Sequence, residues 1–244
     1  MLRFDSVGFS YKGSRAPALD GFSLEAEPGR VMAVLGPNGC GKSTALGIAA
    51  GWLKPSSGSF RNSGKASFLP QSERLAYAFT CLEYASFGRA PHLAGLGTPG
   101  PRDRELALAA LARVGMEGKA GTPITALSGG ELQLVRIARA LAQDSPWMIL
   151  DEPTDMLDPG HAVTVGSTIV ALAAAGTGIL LSTHDLAFAL SVVDEAALVK
   201  DGRVLATGPA AGILDPDSLG GLYGVPFGMA TVPAPLHAAA GAGR

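Results

Sequence analysis

Charged side chains are scarce in this chain: Asp, Glu, Lys and Arg together make up 16% of its 244 residues. With 19 basic and 21 acidic residues the net charge is −2, so no basic excess marks it for a nucleic-acid backbone. Nucleic acid is therefore not expected among its partners. Cysteine is scarcer still, with only Cys40 and Cys81, far apart. That excludes a disulfide frame and a thiolate metal cage, and it fits a reducing compartment. No charged-then-apolar leader opens the sequence. Uninterrupted apolar runs of membrane length are lacking too. The most apolar region, residues 162–181, approaches the about 20 residues a spanning helix takes. It is broken by Gly166, Ser167, Thr168, Gly176, Thr177 and Gly178. It predicts a helix over 160–174, a glycine turn and a buried strand over 178–182. Mean hydropathy is nonetheless +0.27. An alanine-rich core and a surface that sits against a partner explain that value about equally.

The length allows one domain, or one domain with a lobe. Residues 2–11 and 19–26 alternate polar and apolar, as half-buried strands do. Pro28-Gly29 is a turn. Residues 31–35 are wholly apolar, as in a strand buried on both faces. A glycine loop follows, then a helix from 42 to about 51, a break at 55–58, and a strand over 64–69 that closes at Pro70-Gln71. From 80 to 122 the texture changes. Helical segments near 80–88 and 103–114 flank a Gly- and Pro-rich loop, which reads as a separate helical lobe spanning about 72–125. Residues 127–143 carry a long helix, with Leu132, Val135, Ile137, Ala138 and Leu141 on its apolar face and Arg136 and Arg139 at more polar positions. Residues 147–151 form a buried strand ending at Asp151. Alternating helices and apolar strands imply an α/β sheet. Residues 228–244 are Ala, Gly and Pro with little pattern, and are expected to form a disordered tail.

Gly36-Pro37-Asn38-Gly39-Cys40-Gly41-Lys42-Ser43 fits G-x-x-x-x-G-K-[ST] without deviation. Glycines let consecutive backbone N–H groups curl around phosphate oxygens, and the following helix points its N-terminus at the same anion. Lys42 adds a point charge, and Ser43 a hydroxyl for Mg²⁺. Cys40 occupies a variable position, as a tolerated small residue. Asp151-Glu152 sits where an apolar strand delivers a carboxylate to its C-terminal end. Alone such a pair reads as a solvated turn; beside the glycine loop it reads as metal ligand and general base. Leu127-Ser128-Gly129-Gly130-Glu131 starts a helix with Ser128 placed as N-cap, a second anion site.

These motifs, in this order, resemble the nucleotide-binding subunit of ATP-binding cassette (ABC) transporters, from about residue 2 to about 227. The resemblance implies an α/β P-loop NTPase of the ABC type over 1–227, with an N-terminal antiparallel β subdomain and a helical lobe. It implies ATP and Mg²⁺ as cofactors. Gly36, Pro37, Asn38, Gly39, Cys40, Gly41, Lys42, Ser43 and Thr44 would bind phosphate, and Ser43, Gln71 and Asp151 the Mg²⁺. Tyr11 would stack on adenine; its other reading is a strand aromatic. Glu152 would activate water, His184 contact the γ-phosphate, and Gln71 link the site to the lobe. Ser128, Gly129 and Gly130 would act in trans on ATP held by a second copy, with Asp158 of the D-loop beside them. A head-to-tail homodimer enclosing two ATPs follows. Asp155 departs from the small or amide residue common there, and Leu132 is a variant after the signature Glu131.

The resemblance also implies a membrane permease, reached from the cytoplasmic face, and a periplasmic or surface substrate-binding protein served indirectly. Gly88-Arg89-Ala90-Pro91-His92, Leu157-Asp158-Pro159-Gly160-His161 and the segment around Gly220, Leu222, Tyr223, Gly224 and Val225 resemble importers of iron-siderophore complexes, haem and cobalamin. The short stretch between the P-loop helix and Gln71 instead resembles zinc and manganese importers. A soluble cassette ATPase in iron–sulfur cluster assembly is a further alternative. Phe79, Leu82, Tyr84 and Phe87 are expected to line a groove for the permease.

Overall fold

Val31-Met32-Ala33-Val34-Leu35 carries no polar side chain, and that settles its place: β3 (Val31–Leu35) is buried at every residue inside a six-stranded sheet. The computed structural model describes residues 1–73, 77–93 and 97–230. The sheet runs β5-β6-β7-β3-β8-β9, from β5 (Ala66–Leu69), β6 (Trp147–Asp151), β7 (Gly178–Ser182), β8 (Glu195–Lys200) and β9 (Arg203–Pro209). All neighbours are parallel except β8 and β9, which pair antiparallel at one edge. Alternate residues of the central strands divide between two cores. Val31, Ala33, Leu35, Met148, Leu150, Ile179 and Leu181 face α5 (Pro159–Ala174), which contributes Val165 and Ile169. Met32, Val34, Trp147, Ile149 and Leu180 face α1 (Lys42–Ala49), which contributes Leu46 and Ile48.

The second sheet is three-stranded and antiparallel, in the order β2-β1-β4, from β1 (Leu2–Phe9), β2 (Leu19–Ala26) and β4 (Ser57–Asn62). It lies over the α1 side, where Phe4 and Phe22 meet edge to face at 5.2 Å. Alternation located β1 and β2 in the sequence. The ladder of β1 stops at Phe9, two residues short of expectation, so Tyr11 stands outside it. Residues 57–62, partly read as a turn, form the edge strand β4. Its sequence has no apolar alternation because its side chains are exposed or half-buried.

Helices α2 (Cys81–Ser86), α3 (Pro101–Arg113) and α4 (Gly129–Ala142) form the lobe, with a 3-10 segment over Phe87–His92. The lobe has no core of its own: Cys81, Tyr84, Ala107, Leu111, Leu134 and Ala138 belong to the α5-side core of the main sheet. Tyr84, expected in a surface groove, is buried. Arg136, expected on the polar side of its helix, is only 8% exposed. Helices α6 (Leu186–Val192), α7 (Ala210–Ile213) and α8 (Pro216–Tyr223) complete the chain order. Among the described residues no helix is long and apolar enough to cross a membrane. Of the expected tail, residues 231–244 lie outside the described residues.

Packing at the strand edge predicts one stability effect. A Cβ added at Gly178 would lie 2.4 to 2.7 Å from three ring atoms of Trp147, itself 1% exposed. Gly178→Val should therefore lower unfolding free energy by about 1–3 kcal/mol through overpacking. Gly212→Ala, with nothing within 4 Å, should not lower it. Urea midpoints at constant m-value test both.

Candidate nucleotide-binding site

The loop after β3 is shaped by positions that admit no side chain. A Cβ on Gly36 would stand 2.1 Å from the Val199 carbonyl oxygen. Gly41 has φ 108°, and its Cβ would meet the Ala18 oxygen at 2.5 Å. Gly41 is also the N-cap of α1, and being a glycine it caps with no side chain, so the first N–H groups of α1 stay open to an anion. Lys42 is 8% exposed, and its Nζ donates to the carbonyl oxygens of Gly36 at 2.7 Å and Pro37 at 3.1 Å. A buried ammonium whose hydrogen-bond partners among the described residues are neutral carbonyls favours an anion beside it.

A cavity of about 620 Å³ opens over this loop. Tyr11, Asn38, Gly39, Gly41, Lys42, Ser43, Thr44, Gln71, Asp151 and Glu152 all line it. Residues 141 positions apart thus share one cavity, to which the parallel strands β3, β5 and β6 deliver the glycine loop, Gln71 and the Asp151-Glu152 pair. The Tyr11 ring is 47% exposed, meets Phe9 edge to face at 4.9 Å, and its hydroxyl lies 3.1 Å from Thr44 Oγ1. Cys40 is buried below the loop, and burial pushes its thiol pKa up, so it stays a neutral packing residue.

Asp151 and Glu152 are 3% and 7% exposed. Ser182, opposite Asp151 in the β6–β7 register, organises both. Its Oγ donates to Asp151 Oδ1 at 2.5 Å and accepts the Glu152 N–H at 3.0 Å. Ser182 was no candidate in the sequence; the only signal was a polar residue closing an apolar strand. Glu152 has φ 52°, an uncommon conformation for a side chain of its size. Its Oε2 accepts the His184 N–H at 3.2 Å and lies 2.9 Å from His184 Nδ1. The His184 side chain is 70% exposed and is anchored at this one end.

The donor set fits a triphosphate with Mg²⁺. The Ser43 hydroxyl, Asp151 carboxylate and Gln71 amide are hard oxygen donors on one cavity wall. Among the described residues no cluster of three or more His, Cys, Asp or Glu could hold a metal alone. Such a site suits an ion that shares its coordination with phosphate oxygens.

Ser128, Gly129, Gly130 and Asp158 do not line this cavity. Ser128 caps α4 in a reciprocal box: its Oγ accepts the Glu131 N–H at 3.3 Å, and Glu131 Oε2 accepts the Ser128 N–H at 3.0 Å. Asp158 caps α5, accepting the His161 N–H at 3.0 Å, with Oδ2 2.5 Å from His161 Nδ1. The D-loop lies against the signature: a Cβ on Gly130 would be 3.3 Å from the Met156 oxygen. Met156 is 77% exposed at φ 63°.

Glu131 also pairs with Lys119. That bond first, then those to Ser128, lower its carboxyl pKa from 4.5 to about 2. A carboxylate depressed in the folded state contributes stability that is complete above its unfolded pKa and is lost as pH falls through its folded one. The signature cap should therefore stay ionised through pH 4. Carbon NMR of the Glu131 carboxyl should titrate near 2, and Lys119→Met should move that midpoint up toward 4.5. A midpoint near 4.5 in the unmodified chain would rule the pairing out.

The ABC transporter family model matches residues 19–155, more than half of the chain. The hemin import ATP-binding protein of Gloeobacter violaceus is 39% identical over 237 residues, covering 89% of this chain and 85% of that protein. The protein of the same name in Pseudomonas entomophila is 36% identical over 239 residues, covering 91% and 92%. Among solved structures, an inward-facing ABC transporter of metal-chelate type superposes with a TM-score of 0.84 at 29% identity, over 92% of this chain and 89% of that one. A dimeric ATP-binding cassette in a post-hydrolysis state with ADP and Pi gives 0.79 at 27% identity, over 86% and 99%. With glycine loop, paired carboxylates, histidine and capped signature in one fold, the chain belongs to the ABC transporter family as an ATP-hydrolysing cassette.

Proposed function

We propose that this cassette drives uptake of a metal chelate of the haem type through a separate membrane permease, working as a head-to-tail homodimer at the cytoplasmic face. The observation that carries the catalytic part is the grouping of Lys42, Ser43, Gln71, Asp151 and Glu152 on one cavity, with His184 tied to Glu152. Lys42 and the open end of α1 bind the β- and γ-phosphates, aided by loop N–H groups from Gly36, Asn38, Gly39, Cys40, Gly41 and Thr44. Tyr11 carries the adenine. Ser43, Asp151 and Gln71 would hold Mg²⁺, which would neutralise phosphate charge when bound. Glu152 takes the proton of the attacking water. His184 steadies the Glu152 carboxylate from one side and the γ-phosphate from the other.

The dimer follows from where the signature lies. Ser128, Gly129 and Gly130 offer a capped helix start that does not line this chain's own cavity, which supports its use by a second copy. Asp158, which caps α5 at the end of the D-loop, joins the signature in that trans site. The dimeric cassette among the structural neighbours supports this arrangement.

For cargo, relatives named for hemin import and a metal-chelate structural neighbour support the same group as Gly88 to His92 and Leu157 to His161. Their weight exceeds that of the short segment before Gln71, which zinc and manganese importers share. A soluble assembly role has no comparable support. The permease would dock at the aromatic rim of the lobe. Tyr77 is 70% and Phe87 43% exposed there, and Phe79 lies between them at 5.8 and 4.8 Å. Tyr84 stands beneath this rim as core.

Glu152→Gln should retain ATP binding while turnover falls at least about a hundredfold. Single-turnover hydrolysis and nucleotide-binding titrations check this; unchanged turnover would remove Glu152 as the base. Gentle solubilisation of native membranes should recover the tagged chain with a polytopic permease. Uptake of haem by cells should then stop in a Lys42→Ala strain. Recovery with soluble partners alone would overturn the importer.

A further inference from the structure

Two buried polar side chains on α4 leave their own helix and reach the loops that carry the chemistry. Gln133 and Arg136 stand one turn apart and are 5% and 8% exposed. Arg136 Nη2 donates to the Pro70 carbonyl at 2.5 Å. Arg136 Nη1 donates to Gln133 Oε1 at 2.6 Å and to the Gln71 carbonyl at 3.4 Å. Gln133 Nε2 in turn donates to the Pro153 carbonyl at 3.2 Å. One guanidinium and one amide thus tie the two peptides that flank Gln71 to the Pro153–Thr154 peptide, one residue beyond Glu152.

Burying a guanidinium is costly unless its charge and donors find partners. The counter-charge here is weakly engaged. Glu73 Oε2 lies 3.7 Å from Arg136 Nε and accepts the Tyr84 hydroxyl at 2.6 Å instead. Arg136 Nε makes no hydrogen bond among the described residues. A leucine or methionine would suit this half-apolar helix face at lower cost, so the carbonyl contacts need a reason beyond helix packing. A single lysine ammonium would not match them: the planar fork addresses several acceptors at fixed angles.

We propose that Arg136 is a positioning residue for ATP hydrolysis: through the Pro70 and Gln71 carbonyls, and through Gln133 the Pro153 carbonyl, it holds Gln71 and Glu152 in fixed relation across the cavity. This rests on the ATPase reading above. The neighbouring Arg139 gives the comparison. It lies one turn further along α4, donates to the Phe68 carbonyl at 3.4 Å, pairs with Glu73 Oε2 at 3.4 Å, stands 5.5 Å from the Tyr84 ring centroid, and among the described residues makes no hydrogen bond to Pro70, Gln71 or Gln133.

The test is steady-state ATPase of the full chain carrying Arg136→Met, Arg136→Lys or Arg139→Met, with ATP and Mg²⁺ each varied. Arg136→Met should lower kcat about tenfold or more and weaken the dependence on Mg²⁺, while KM for ATP stays within about twofold. Arg136→Lys should fall between it and the unmodified chain. Arg139→Met should keep kcat, even if its urea midpoint drops. The proposal fails if Arg136→Met turns over like the unmodified chain, or if Arg139→Met loses kcat equally, since both would leave Arg136 a packing residue. Should Arg136→Met not fold, Arg136→Lys decides alone, and unmodified kcat there overturns the proposal. An unmodified chain with no ATPase activity would instead defeat the underlying function.

Discussion

Strands β3, β6 and β7 have no solvent face, and covering them organises the rest of the molecule. Each alternate set of their side chains must meet an apolar layer, which α1 and the small antiparallel sheet supply on one side, and α5 with the lobe on the other. Parallel strands so enclosed can present polar groups only where they end. The glycine loop, Asp151 and Ser182 all fall at that shared edge. The site is thus a consequence of burial as much as of its motifs.

Within the site, order comes from short links between strand ends. Ser182 satisfies Asp151 and the Glu152 peptide together, and Glu152 reaches His184, so two neighbouring strands fix the three groups against one another. The φ of Glu152 is held by the hydrogen bond of its N–H to Ser182 Oγ rather than by its own preference. On the other side, Gly36 and Gly41 bring backbone against Val199 and Ala18, where any Cβ would collide. Both devices place chemistry by excluding alternatives, which is how a loop acquires the precision of a strand.

The lobe obeys a different logic. It joins the main core instead of forming its own, so its motion relative to the sheet cannot be free of cost. Its helix α4 begins with the signature cap and, two turns later, holds the loops around Gln71 and Pro153. The helix that begins with the signature cap also carries the ties to the loops around Gln71 and Pro153. In the proposed dimer, that continuity gives the interface and those loops a common mechanical element.

Much of this was legible in the sequence, for identifiable reasons. Doubly buried strands are apolar runs, so residues 31–35, 147–151 and 178–182 were found to the residue. The glycine loop and the signature are local, their geometry following from residues within eight positions of one another. Edge strand β4 left no trace because an exposed strand needs no alternation. Arg136 was read at a more polar position of its helix and Tyr84 in a surface groove because helical periodicity cannot see a loop arriving from more than sixty positions earlier, or a hydroxyl meeting Glu73. Ser182 acquired its role only through register with Asp151. The sequence by itself therefore determined the doubly buried strands and the glycine loop, where local composition and each residue's own conformational limits suffice. Tertiary structure alone decided which buried polar groups meet, because partners for a buried donor are set by distance in space and not along the chain.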